Sequence, residues 1–306
     1  MGVGKAWLLL ALLLLVGGCG SGEGSKDDVA PPPGSLAALL ARPGPNVAWI
    51  PGTSDYAPGP VRVSFLVVRK DGSLVERSRA RVWVARSLEA PPLLRVDASL
   101  ELVGVPGVSS DRLDVTRLYV ARLTLPSAGR YYLLAEPIGG SRPVQALGDL
   151  RVAERTKAPA VGARAIPSRT PTIRSTRGDF ARLTTRTPPD RELLRHSIAE
   201  SLAAKRPFVV AFATPKFCTS RTCAPVVDVV DAVRRRFAGS SVRFIHVEIY
   251  EGNEPAAGLN RWVKEWRLPT EPFVFLVGED GRIKARFEGS VSVRELARAV
   301  RTTLVG

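Results

Sequence analysis

The sequence predicts two folded domains in tandem, an all-β sandwich followed by an α/β domain, and three observations predict it. With 306 residues, 45% of them hydrophobic, the chain is long enough to bury about two cores. Between Val47 and Val152 the apolar residues fall in short runs bounded by turn signals. Beyond residue 190, buried-strand runs alternate with amphipathic stretches of helical period. The boundaries read as a leader over 1–19, a tether over 20–45, the β domain over 46–153, a linker over 154–190 and the α/β domain over 191–306.

The leader decides the compartment. Lys5 precedes an apolar stretch, Ala6 to Val16, too short to span a bilayer but suited to a signal-peptide core. Val16-Gly17-Gly18-Cys19 resembles the lipobox of bacterial lipoproteins, and the resemblance implies that Cys19 becomes a lipidated N-terminus. The protein is then expected on the extracytoplasmic face of the bacterial cell membrane, lipid-anchored through the Gly20–Ser25 tether. An ordinary secretory signal with an incidental cysteine is the alternative. The formal charge of +15, mostly arginine, forms no dense run, and only 7% of residues are aromatic. That pattern reads as a solvated surface with weak attraction to anionic headgroups, not as a nucleic-acid site.

In the β region, Val61–Val68 closes on a Lys70-Asp71-Gly72 turn and is followed by runs at Ala80–Ala85, Leu93–Leu102 and Leu113–Leu125. The Pro126–Gly129 turn leads into Tyr131–Ala135, then Leu147–Val152. Six or seven strands at this spacing predict a sandwich. Leu123 to Leu133, with Gly129 before Tyr131, resembles the late corner of immunoglobulin-like domains, which implies an immunoglobulin-like sandwich whose core rests on Phe65 and Trp83 because no cysteine bridge is present. Alternation puts one of Tyr131 and Tyr132 inside. Residues 154–190 are rich in proline, arginine and threonine and read as a semi-extended linker, free to lie along the next domain. Asp190 to Ala204 predicts a helix with Leu193, Leu194, Ile198 and Leu202 as its apolar stripe and His196 exposed or capping.

The centre of the α/β region is Phe208 to Pro225, a buried strand that breaks at Pro215 and carries Cys218 and then Cys223. Cys19 aside, these are the only thiols, and outside the cytoplasm two cysteines so close are expected to be redox partners. Within one continuous helix, five residues advance about 140° and about 7.5 Å, beyond the roughly 7 Å reach of a disulfide. A bridge therefore requires Cys218 in the loop and Cys223 near the start of the helix that Pro225 opens. Helix-end amides with Lys216 and Arg221 favour the thiolate, making Cys218 the nucleophile and Cys223 the resolving thiol. No metal and no cofactor are called for, since His196 and His246 do not fall at ligand spacing from the thiols. His246 reads as structural, Trp262 and Trp266 as core, and Glu248, Glu251 and Glu254 as solvated loop charge.

The order strand, cysteine-bearing helix, strand, helix, proline-led strand, hairpin, helix over Arg195–Gly306 resembles the thioredoxin fold superfamily. The resemblance implies an α/β thioredoxin-like domain and a thiol-disulfide oxidoreductase acting on extracytoplasmic protein thiols or disulfides, with a membrane electron donor as a further partner. It also implies that Glu271 and Pro272 meet the bound peptide across a cis bond, with Pro269 the competing position. The pair is Cys-x4-Cys rather than Cys-x-x-Cys, Phe217 stands where tryptophan is usual, and Phe208–Ala213 holds no acidic proton acceptor. The alternative function is a non-enzymatic envelope lipoprotein that uses the domain as a binding scaffold with a structural disulfide; metal handling by the thiols ranks third.

Overall fold

The computed structural model describes residues 30–105, 108, 116–217 and 226–305. The leader, Cys19, Cys218 and Cys223 lie outside the described residues. Among the described residues no helix is long and apolar enough to cross a membrane.

Ser35 caps a short helix, α1 (Leu36–Leu40), by accepting from the Ala38 amide. Seven strands follow: β1 (Val47–Pro51), β2 (Gly59–Arg69), β3 (Arg79–Ala85), β4 (Leu94–Leu102), β5 (Arg117–Leu125), β6 (Gly129–Pro137) and β7 (Ala146–Val152). They form one continuous antiparallel sheet in the order β1-β2-β5-β4-β3-β6-β7. This corrects the expected immunoglobulin-like sandwich, which would divide the strands between two facing sheets. The sheet instead curls until its ends meet, a near-barrel. Gly148 of β7 permits the closure, because a Cβ there would lie 2.4 Å from the Trp49 ring of β1.

The curled sheet encloses one core in which Trp49 stacks on Phe65 at 3.8 Å and Phe65 on Tyr119 at 5.3 Å. In β2, Val63, Phe65 and Val67 face this interior while Leu66 and Val68 pack outside with Val103, Leu118 and Val120. Burial on both faces is why Phe65–Val68 reads as an unbroken apolar run. Trp83 packs outside with α1 and Leu134 rather than in the main core. Tyr131 is the inward member of its pair, its hydroxyl donating to the Ser127 carbonyl at 2.8 Å.

The second half contains α2 (Ile198–Ala203), β8 (Phe208–Phe212), α3 (Val226–Arg236), β9 (Arg243–Val247), α4 (Arg261–Glu265), β10 (Phe273–Val277), β11 (Ile283–Glu288) and α5 (Val293–Val300). Its four-stranded sheet has the order β11-β10-β8-β9, with β8 and β9 parallel and the other pairs antiparallel. The expected α/β thioredoxin-like domain is corrected too. The described residues are mostly β, only 20% helical, and no clear domain of that kind is present among them. Apart from the 11-residue α3, the helices here run five to eight residues, so extended linker segments do much of the covering. The single helix expected over 190–204 is two pieces, a 3-10 turn at Glu192–Leu194 and α2, because Ser197 forms a capping box with Glu200 and restarts the helix.

Every residue of β8 and β10 is buried. One face packs on α3 and α5. The other packs on Trp266, Ile198, and Ala158 and Ala165 from the proline-rich segment. That segment lies along the sheet, and Arg164 bridges to Arg282 beside β11.

A seam of buried charge joins the two sheets. Glu295 of α5 is paired with Arg62 at 2.9 Å and Arg122 at 2.6 Å. Glu288 accepts from the Ser54 and Asp55 amides at 3.0 and 2.8 Å, and Arg286 pairs with Asp55 at 2.8 Å. Glu101 accepts from Ser292 at 3.0 Å and is paired with Arg294. Gly289, at φ +71°, allows the approach, since a Cβ there would meet the Gly52 carbonyl oxygen at 2.3 Å.

A candidate functional site at one end of the second sheet

Register brings three chain segments to one end of the four-stranded sheet. Phe212 pairs with Val247 on one side and Phe273 on the other. The residues just beyond, Ala213 and Thr214 after β8, Glu248 after β9, and Glu271 and Pro272 before β10, therefore converge. The Glu271–Pro272 peptide is cis, as the sequence reading expects.

Glu248 is a correction to that reading, which made it solvated loop charge. It is 5% exposed. Its Oε1 accepts from the Thr185 amide at 2.6 Å and the Thr185 hydroxyl at 2.8 Å. Thr185 Oγ1 in turn accepts from the Lys216 amide at 3.1 Å, tying the loop after β8 to the same carboxylate. The Asn260 side chain donates to the Glu248 carbonyl at 2.6 Å while capping α4, which fixes the strand end.

Glu271 Oε1 accepts from the Tyr250 hydroxyl at 3.2 Å. Phe217, the residue before Cys218, meets the Tyr250 ring edge-on at 6.2 Å. Burial raises the Glu271 pKa above its ordinary value and outweighs the Tyr250 hydrogen bond, with the Glu248 charge acting in the same direction as burial. Tyr250 is also raised, by burial and then by Glu271.

Three buried polar atoms here have no partner among the described residues: Thr214 Oγ1, Glu248 Oε2 and Glu271 Oε2. Such atoms are uncommon in folded proteins, and each costs about 1–3 kcal/mol. A carboxyl that holds its proton to raised pH, as Glu271 does beside Glu248, is a group able to accept and return a proton. His246 sits beneath, structural as expected. Its Nε2 bonds the Ala213 carbonyl at 2.9 Å, and Thr184 Oγ1 lies 3.4 Å from Nδ1.

Of the sequence-predicted site residues, Glu271 and Pro272 stand at this sheet end, while Cys218, Cys223 and Cys19 fall outside the described residues. Sequence reasoning missed Glu248, Thr214, Thr185 and Tyr250. A signal for Glu248 existed: it sits between Val247 and Ile249 in an unbroken strand pattern, which argues for burial rather than for a loop. A cleft of about 880 Å³ lies elsewhere, along the seam between the sheets. Of its carboxylates, Asp55 and Glu295 are ion-paired and Glu288 accepts from the Ser54 and Asp55 amides, so these groups hold the halves together. No family model, curated protein or solved structure matches the chain.

Proposed function

We propose that the chain is a lipid-anchored extracytoplasmic protein that exchanges dithiol for disulfide with protein partners through Cys218 and Cys223. The observation that carries this reading is a covalent one. Phe217, the residue before Cys218, packs on Tyr250 at the sheet end where Glu248, Glu271 and Thr214 hold buried polar atoms without partners among the described residues. A structural staple gives such atoms no use, whereas thiol exchange needs a group that takes and returns protons. The leader ending at Cys19 supports an oxidising compartment, in which a dithiol pair can cycle.

In the reductive direction the Cys218 thiolate attacks one sulfur of a partner disulfide, and the other partner sulfur leaves as a thiolate. The Cys223 thiolate then attacks Cys218 of the mixed disulfide and releases the second partner thiolate. Cys218 and Cys223 lose two electrons as their bond forms, the partner gains two, and the two thiol protons pass to the departing sulfurs. The Glu271/Glu248 pair is the relay for those protons, and the backbone before Pro272 lines the approach of the partner chain.

The test is insulin-disulfide reduction together with a thiol redox titration of the purified chain. Cys218→Ser is expected to abolish turnover, and Cys223→Ser to trap a mixed disulfide. Undiminished turnover by Cys218→Ser would refute the reading. A potential below about −300 mV would mark a structural bridge instead.

A further inference from the structure

The opposite end of the same sheet carries a different constellation. Arg206 precedes β8 and Arg243 opens β9, and these two starts lie side by side because the strands are parallel. Arg195 and His196, between the 3-10 turn and α2, close one flank, and the Gly239-Ser240-Ser241 turn after α3 closes the other. Together they line a pocket of about 610 Å³ in which Glu192 is the sole carboxylate against four arginines, the fourth being Arg234.

The charges are unevenly satisfied. Arg234 is bound to Asp231 at 2.7 Å, and Arg195 to Glu192 at 3.0 Å at an exposed position. Among the described residues Arg243 forms no ion pair and donates only to neutral groups, the Glu200 carbonyl at 3.3 Å and Ser201 Oγ at 3.4 Å, with the Glu200 charge acting on it as a lesser counterweight to burial and Arg206. Arg206 has no hydrogen bond or ion pair from its side chain among the described residues. Burial first, and then the charge of Arg206, lowers the Arg243 pKa; burial first, then Arg243 and Arg195, lowers that of His196. Mutual repulsion of this kind is relieved by a bound anion that several guanidinium groups can share.

We infer that this pocket binds a phosphate group, free or carried on an ester, between Arg195, Arg206 and Arg243. Guanidinium forks match the oxygens of a phosphate in bidentate fashion, and the Ser240 and Ser241 hydroxyls add neutral donors at the same rim. The pocket is open and larger than a phosphate, which leaves room for an esterified substituent such as a lipid glycerol. The inference is independent of the thiol reading, since the pocket sits at the far end of the sheet and uses none of the same residues.

The chain has two histidines, His196 and His246, so imidazole proton resonances report the site directly. The full chain, in zwitterionic detergent, is titrated with inorganic phosphate and separately with monomeric dihexanoyl-phosphatidylglycerol, with chloride holding ionic strength constant. His196→Asn assigns the signals. A saturable shift of His196, with buried His246 unmoved, is expected from at least one probe. Arg206→Gln, which removes a side chain with no hydrogen bond or ion pair among the described residues, should weaken that binding about tenfold, the loss of one charge-assisted contact. Response to inorganic phosphate identifies a free phosphoryl ligand, and response to the diester alone identifies a headgroup. Silence of His196 toward both probes, or an Arg206→Gln titration superimposable on that of the parent, overturns the inference.

Discussion

Two groups of glutamates, wholly or half buried, are treated in opposite ways in this protein. In the seam between the sheets, Glu295 is enclosed yet bound by Arg62 and Arg122, and its pKa is lowered because these charges outweigh the burial that pushes it up. At the end of the second sheet, Glu271 and Glu248 have no ion pair and each keeps one oxygen without a partner among the described residues, and Glu271 is raised. The same side chain thus serves as a rivet where its hydrogen-bonding capacity is filled and as a reactive group where it is left open. The difference lies in the neighbours: Glu271, only half-buried, is raised, whereas the fully buried Glu295 is lowered.

The comparison breaks first at Glu295. Glu295→Ala strands Arg62 in the seam and is expected to cost about 3 kcal/mol in a urea unfolding titration. A loss below the error of the measurement would show that the seam does not depend on its ion pairs. The pH dependence is a finer test. Because the folded pKa of Glu295 lies below its ordinary value of 4.5, its contribution is complete above about pH 4.5 and is lost as pH falls through the folded value. The midpoint urea concentration should therefore drop on acidification below pH 4.5, and Glu295→Gln should flatten that part of the profile.

Glu271 has the reverse sign and the smallest effect. Its raised pKa means that the folded protein holds this proton more tightly than the unfolded chain, so stability is lost as pH rises through the folded value. Glu271→Gln should consequently raise stability at pH 7 by about 1 kcal/mol and leave it unchanged at pH 4. On the proposed function, it should also slow thiol exchange. Destabilisation at pH 7 would mean that the carboxylate is structural after all.

Much of the local structure was legible in the residues. The runs Val61–Val68, Ala80–Ala85, Phe208–Ala213 and Phe273–Val277 are strands within a residue or two, because an apolar run between turn residues leaves few other conformations. Of the tryptophan pair read as core, Trp266 is buried and Trp262 only half-buried, and His246 is structural as read. Strand pairing was not legible: seven strands that read as a two-sheet sandwich close into one curled sheet once Trp49 lies over Gly148, a contact 99 positions apart in the chain. Nor was the seam, since Asp55, Glu101, Glu288 and Glu295 have no local pattern that distinguishes them from surface charge.

By itself the sequence determined where most of the strands run, and where the two thiols stand along the chain. These follow from side-chain period, turn residues and caps, all of which act over a few residues. Tertiary structure alone decided which strands are neighbours, which carboxylates are neutralised, and that Glu248 and Glu271 meet at one sheet end. Those outcomes depend on contacts between distant segments, where an arginine or its absence sets whether a buried charge is a fastening or a proton acceptor.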